Sequence, residues 1–394
     1  MEIVHANVLS DGKLLHNHFV RCKDSVITEI GSMSNYVPDG SSVLDAEGNV
    51  VCAGYIDQHT HGAMGYDAMD ATQEALDAIC RHHFCHGVTT ILPTTMTASL
   101  QETEKVLEFI RDYEPPVPVK IPGVHMEGPF FSVKNRGAHL EHLLTAPTDE
   151  WKAMMARNHG SVKLISLSPE LEGMPEFIWF CREQGIVVSG GHDDGYDDLI
   201  YEAMEAGMQS VTHIFCCSSG ITRRGSPWKR LGLTEIGLTD DRLYADAIAD
   251  GNGIPYHLLP LLFRAKGRNK LIFISDSMRA TGLQPGTYRL GSEEEGVVVD
   301  VTETAAILHG ENLFAGSIAC VSKMVEDAVV RSGIPLEDAV LAATKNPATL
   351  LGLKDRGDIL PGMNASLNLI TETGKLLKTV VDGTVYVNGE KVFA

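Results

Sequence analysis

Two histidines one residue apart, His59 and His61, stand at the end of the short apolar run Gly54-Tyr55-Ile56-Asp57. In an extended strand, residues two apart point to the same side, so both imidazoles would face one direction, half of a metal site. A hydrolytic centre needs more: further ligands, a base and an open coordination position. The chain offers matching residues at the ends of other apolar runs. These are Glu127 in His125-Met126-Glu127-Gly128-Pro129, His192 after Ser189-Gly190-Gly191, His213 after Val211-Thr212, and Asp276 after Ile274-Ser275. Together the six could serve two divalent ions with one carboxylate between them. Any one histidine beside an apolar strand is more often a hydrogen-bonded core or surface residue than a ligand, so the inference rests on the coincidence of all six. Among the sixteen histidines, His82, His83 and His86 fall on a predicted helix and His5, His16 and His18 in a β-rich terminal region, and none is assigned a ligand role. His125 shares a strand face with Glu127 and is expected to support it. Asp57 would brace a ligand histidine or cap a turn, and Asp276 has the alternative of capping the helix that follows.

The elements that would position these residues alternate. Candidate strands at 55–59, 88–94, 119–125, 162–167, 186–190, 210–214, 243–248 and 271–275 are separated by helix-like stretches including 72–86, 99–112, 173–184, 195–206 and 255–266. Eight strands interleaved with helices predict an α/β fold, a (β/α)8 barrel, in which chemistry collects at the C-terminal strand ends, where the six residues lie. A doubly wound sheet would carry a Gly-x-Gly-x-x-Gly turn after its first strand, and this chain does not. Residues 1–52 and 358–394 instead read as short strands with turn signals such as Asp11-Gly12, Asp382-Gly383 and Asn388-Gly389. The expected division is a β-sandwich domain from 1–52 and 358–394, and a catalytic barrel over 53–357.

Composition narrows the partners. Lys and Arg number 32 against 52 Asp and Glu, a formal charge of -20, which opposes binding to nucleic-acid phosphates or an anionic membrane. A small molecule is the expected partner, and an anionic one would need a local basic pocket. The eight cysteines are scattered without a Cys-x-x-Cys pair, which predicts reduced thiols and a cytoplasmic protein. No signal peptide or apolar run of spanning length is present.

An ordered series of motifs resembles the amidohydrolase superfamily and, within it, the N-acetylglucosamine-6-phosphate deacetylases. It comprises Gly54-Tyr55-Ile56-Asp57 into His59-Thr60-His61-Gly62, Gly87-Val88-Thr89-Thr90, His125-Met126-Glu127-Gly128-Pro129-Phe130, Gly137-Ala138-His139, Thr212-His213, Ala249-Asp250-Gly251, Asp276 with Ala280-Thr281-Gly282, Ala315-Gly316-Ser317 and Asn346-Pro347-Ala348. The resemblance implies a metal-bearing barrel with a β-sandwich made from both chain ends. It implies Glu127, His192 and His213 as one metal's ligands, and His59, His61 and Glu127 with Asp276 as the second site. One or two divalent ions are implied, zinc first, with iron or manganese as alternatives. Many superfamily members bridge their metals with a lysine at the end of strand four; Lys163 opens that strand, so Glu127 is the better bridge.

The activity implied is removal of the acetyl group from an N-acetylated amino sugar, N-acetylglucosamine 6-phosphate or a related sugar. A metal-activated water would attack the amide, with Asp276 as general acid and base. His139 and Ala315 are carried over as substrate contacts, Arg224 as the phosphate contact, and a homodimer as the assembly. Two stretches depart from the family. Cys216 and Cys217 stand where Asn-Ala is usual, and Asn252-Gly253 where a histidine is usual, so altered substrate contacts are expected there. The other readings are an N-acyl-D-amino-acid deacylase or a cyclic amide or ureide hydrolase on the same scaffold and, from a different class, a catalytically silent binding protein.

Overall fold

The computed structural model describes residues 1–223 and 227–393. Eight parallel strands run in chain order around a nearly closed barrel: Tyr55–Thr60, Val88–Thr95, Val124–Glu127, Val162–Leu167, Val187–Gly190, Ser210–Val211, Tyr244–Ala247 and Leu271–Phe273. The seam between first and eighth is held by a parallel bridge from Thr60 to Ser277 and by the Asp276 amide donating to the His59 carbonyl at 2.8 Å. Asp57 reinforces it, its Oδ1 accepting from the Ser275 amide at 3.1 Å and the His59 amide at 3.4 Å. Its role is therefore to tie the first strand to the chain beyond the eighth.

The first helix, Gln73–Cys85, starts where Thr72 accepts from the Ala75 amide, and turns Leu76, Ile79, Cys80 and Phe84 inward at helical spacing. Each such side chain, fully buried, contributes roughly 1.5–3 kcal/mol. The second helix, Leu100–Arg111, opens on a reciprocal Ser99–Glu102 capping box.

Strand limits depart from expectation in three places, each for a local reason. The third begins at Val124 rather than 119, because Pro118 and Pro122 lack the N–H that a ladder needs, although Lys120 still bridges Thr90. The sixth and eighth stop at Val211 and Phe273. Just beyond them His213 and Asp276 adopt φ of 26° and 47°, which extended pairing cannot accommodate.

Both chain ends enter one nine-stranded sheet, in which Glu2–Ser10 pairs with Lys13–Lys23 and Val50–Ala53 pairs antiparallel with Leu367–Ile370. Its core, including Ile3, Val8, Val20, Ile27, Leu367 and Val380, is separate from that of the barrel, so this is a distinct β-sandwich domain. A three-stranded antiparallel sheet, Gly286–Leu290, Val297–Val301 and Ala306–Leu308, lies over the barrel mouth, beyond the strands expected from spacing. All eight cysteines are free. Among the described residues no helix is long and apolar enough to cross a membrane.

Candidate metal centre and substrate pocket

The six predicted ligands are reached by the chain in two unlike ways. His59 and His61 continue the first strand, Glu127 ends the third, and all three are buried. His192, His213 and Asp276 instead sit just past their strands with φ of 52°, 26° and 47°, left-handed conformations rare for residues with a Cβ. Such backbones cost on the order of 1–3 kcal/mol each and persist where surrounding structure enforces them. Here the left-handed kink turns each side chain back over the barrel mouth.

The six converge. Glu127 Oε1 lies 3.3 Å from His192 Nε2, 3.2 Å from His213 Nε2 and 3.5 Å from His59 Nε2, while its Oε2 lies 3.1 Å from His61 Nε2. Asp276 Oδ1 is 3.3 Å from His59 Nε2 and 3.2 Å from His61 Nε2. The two imidazole pairs face each other Nε2 to Nε2, at 3.3 Å for His59 and His61 and 3.1 Å for His192 and His213. Nitrogen and oxygen donors about 2.0–2.1 Å from a shared tetrahedral ion would stand about 3.3–3.4 Å apart, so these edges fit a metal. Two groups of three emerge, His59–His61–Asp276 and Glu127–His192–His213, with Glu127 in contact with both.

Tautomers sharpen the fit. His192 Nδ1–H donates to the Asn135 carbonyl and His213 Nδ1–H to the Cys216 carbonyl, both at 3.1 Å, which leaves each Nε2 lone pair aimed inward. Lone pairs 3.1 Å apart repel unless positive charge lies between them. The electrostatics agree. Burial works against ionised Glu127, yet His59 and the hydrogen bonds of His139, His192 and His213 hold its carboxyl well below the usual range. Burial is likewise outweighed at Asp276 by His59 and His61. On the imidazole side, burial opposes charge on His192, but the Cys217 thiolate and Glu127 push it up to about 10. His61 is driven upward, against burial, by Asp276 and Glu127. A cavity holding two ionised carboxylates and calling protons onto its imidazoles is built for cations.

The surroundings hold this cluster in place. His125 is fully buried, stands edge-on to the His59 ring at 4.4 Å and bonds Ser166 at 2.8 Å, so its contacts are with His59 rather than Glu127. His83, assigned no role from the sequence, is buried with Nε2 3.0 Å from Thr60 Oγ1 and 3.3 Å from Ser277 Oγ, directly behind the seam. Gly137, at φ 60°, passes so close that a Cβ would lie 2.9 Å from Cys217 Sγ and 3.2 Å from His192 Cε1.

An open pocket leads onto the centre. His139, Cys216, Cys217 and Asn252 line it, together with His61, Glu127, His192, His213 and Asp276. His139 Nδ1 accepts from the Thr97 amide at 3.3 Å, so the ring's proton is on Nε2, 3.5 Å from Glu127 Oε2. Burial outweighs Glu127 and lowers His139 to about 4, leaving a neutral donor at the pocket wall. Ala315 is a correction: it is fully buried, its amide donating to the Ala306 carbonyl at 3.1 Å, and Phe314, Gly316 and Ser317 line the pocket instead. Arg224 lies outside the described residues. No described lining residue is Lys or Arg. Spacing also missed Leu290, Ala305 and Ala306, which the three-stranded sheet brings to the wall. The turn-rich Gly291-Ser292-Glu293-Glu294-Glu295-Gly296 between two β-prone runs was the available signal.

Residues 50–224 match the amidohydrolase family. The N-acetylgalactosamine-6-phosphate deacetylase of Escherichia coli O157:H7 is 30% identical over 364 residues, covering 91% of this chain and 92% of that protein. The N-acetylglucosamine-6-phosphate deacetylase of Bos taurus is 31% identical over 360 residues, 86% of this chain and 84% of the relative. The crystal structure of the N-acetylglucosamine-6-phosphate deacetylase from Pasteurella multocida superposes with a TM-score of 0.89 at 26% identity, over 98% of this chain and 99% of that one.

Proposed function

Because the chain belongs to the amidohydrolase family, in the branch of the N-acetylhexosamine-6-phosphate deacetylases, we propose that it is a metal-dependent hydrolase removing the acetyl group from an N-acetylated hexosamine 6-phosphate. The observation that carries the reading is the pair of three-ligand groups joined by Glu127 at the floor of an open pocket. Glu127, His192 and His213 would hold one ion; His59, His61 and Asp276, with Glu127 between, would hold a second. Zinc suits the nitrogen and carboxylate set. A divalent ion bound there supplies Lewis acidity toward the amide oxygen and toward water.

The chain's own groups do the rest. Ionised Asp276 accepts the proton of the attacking water and returns it to the departing amine, general base and then general acid. Neutral His139, its proton on Nε2, donates to the oxygen that gains charge in the tetrahedral transition state. Cys216, Cys217 and Asn252 face the sugar, and Arg224 receives the phosphate. Residues 53–357 form the catalytic unit and 1–52 with 358–394 the supporting β-domain, in a cytoplasmic homodimer. An N-acyl amino acid deacylase or a ring-opening hydrolase is not favoured, since the relatives aligned along nearly the whole chain are amino-sugar phosphate deacetylases.

Acetate release by zinc-loaded protein from N-acetylglucosamine 6-phosphate and N-acetylgalactosamine 6-phosphate tests the reading. Turnover of either at kcat/KM above about 10⁴ M⁻¹s⁻¹ supports it, and absence of acetate from both overturns it.

A further inference from the structure

Behind the barrel seam lies a second constellation that the deacetylase chemistry does not use. His82 lies in the last turn of the first helix and His86 is its C-cap residue, four positions on, so their rings share one face with centroids 4.6 Å apart. Cys320, the N-cap residue of the helix Val321–Ser332, is buried against them with Sγ 3.4 Å from His82 Nε2. One ligand atom from each of the three lies within 4.8 Å of the others.

We propose that His82, His86 and Cys320 form a third metal site, selective for a thiolate-binding divalent ion, zinc. For sulfur about 2.3 Å and nitrogen about 2.0–2.1 Å from a tetrahedral zinc, the S···N edge is about 3.5 Å, close to the separation of Cys320 and His82. His86 Nδ1–H donates to the His82 carbonyl at 2.8 Å, which leaves Nε2 as its free lone pair, the arrangement of a ligating imidazole. Burial lowers His82 to about 4 and raises Cys320 to about 12, so the resting pair is thiol and neutral imidazole rather than an ion pair. Binding exchanges the thiol proton for the metal: the S–H bond breaks, a sulfur–zinc bond forms, and one H⁺ leaves to solvent with no change of oxidation state. A surface cleft bordered by Cys85, His86, Cys320, Lys323, Glu326 and Lys375 gives the ion an entry path, and solvent would supply the fourth ligand. The ion would pin the first helix to the helix after Cys320. Between the two histidines, His83 reaches through to Thr60 and Ser277, so this clamp backs the strand ends that carry His59, His61 and Asp276.

The test is spectroscopic and independent of turnover. Chelator-stripped protein is titrated with cobalt(II) chloride, which shows a near-ultraviolet thiolate-to-cobalt band only where sulfur is a ligand. The expected result is a band whose final intensity corresponds to one thiolate-bound cobalt per chain, lost in Cys320→Ser and retained in Cys217→Ser, Cys217 being the thiol beside the other cluster. Should Cys320→Ser fail to fold, His86→Gln serves, with cobalt affinity at the thiolate site reduced at least tenfold. No thiolate band in wild-type protein that has bound its cobalt, or a band unchanged in folded Cys320→Ser or in His86→Gln, overturns the proposal.

Discussion

At the scale of single residues, Asp276 and Gly137 carry the clearest expectations. Asp276→Asn keeps an oxygen toward His59 and His61 but cannot move a proton, so kcat should fall about 10²–10⁴-fold. Steady-state acetate release with metal content measured in parallel checks this, and a variant within a few-fold of wild type would move the proton-transfer role to another group. At Gly137 the argument is steric. With φ at 60° and a would-be Cβ 2.9 Å from Cys217 Sγ, Gly137→Ala should displace His192 and lower bound metal as well as rate. Unaltered metal content would show that the loop gives way instead. The two ion positions should also differ in hold. His192 and His213 are each oriented by a carbonyl, whereas Nδ1 of His59 and of His61 has no partner, so chelator should empty the His59–His61–Asp276 position first. Metal remaining per chain during stepwise chelation, compared between wild type and His61→Ala, measures this; equal release from both positions contradicts it. Much of this site was legible because polar types at the ends of apolar runs are visible in one dimension. The left-handed backbones of His192, His213 and Asp276 were not, since non-glycine residues give no local sign of positive φ.

At the scale of elements, the loops after the fourth and fifth barrel strands meet through carboxylates. Glu170 Oε1 accepts from the Asp194 amide at 2.7 Å, its Oε2 has no partner, and burial together with Asp193 raises its carboxyl to about 7. That folded-state value exceeds the unfolded one of about 4.3. The folded chain therefore binds the extra proton, and the stability this lends at low pH is lost as pH rises from about 4 through about 7. Glu170→Gln should be the more stable protein at pH 8, by an amount on the order of 3 kcal/mol, and match wild type near pH 4. Thermal melts of both proteins across that window decide it, and a pH-independent difference would contradict it. The barrel strands were legible from alternation of apolar runs with helical stretches, and their limits failed where Pro122, His213 and Asp276 interrupt pairing. The sheet over the mouth escaped because Gly286–Leu290 is largely exposed and polar, so the turn beside the valine-rich Val297–Val301 had no apolar partner run to mark a hairpin.

At the scale of the whole molecule, the acidic surplus makes the described pocket wall, with no Lys or Arg, poorly suited by itself to a phosphorylated sugar. Arg224→Ala should therefore raise KM for the 6-phosphate ester at least tenfold while leaving KM for an unphosphorylated N-acetylhexosamine unchanged; equal effects on both substrates would remove Arg224 from phosphate recognition. Metal belongs to stability as well. An ion present at a thousandfold over its Kd adds about 4 kcal/mol to a fold that binds it only when native, so chelation should lower the melting temperature and zinc should restore it. An unmoved midpoint would mean that the ligand cluster holds its shape without cations.

The pairing of Val50–Ala53 with Leu367–Ile370 also sets an order of events during synthesis. The barrel strands leave the ribosome and can close their seam while the partner of Val50–Ala53 is still unmade. Until the last stretch of chain emerges, that strand presents an open apolar edge, the kind of surface on which nascent chains aggregate and which chaperones cover. A frameshift or premature stop just short of residue 367 would leave the complete catalytic barrel attached to an unfinished sheet. Such a product would betray itself to proteolytic surveillance through its first strands rather than through its active site.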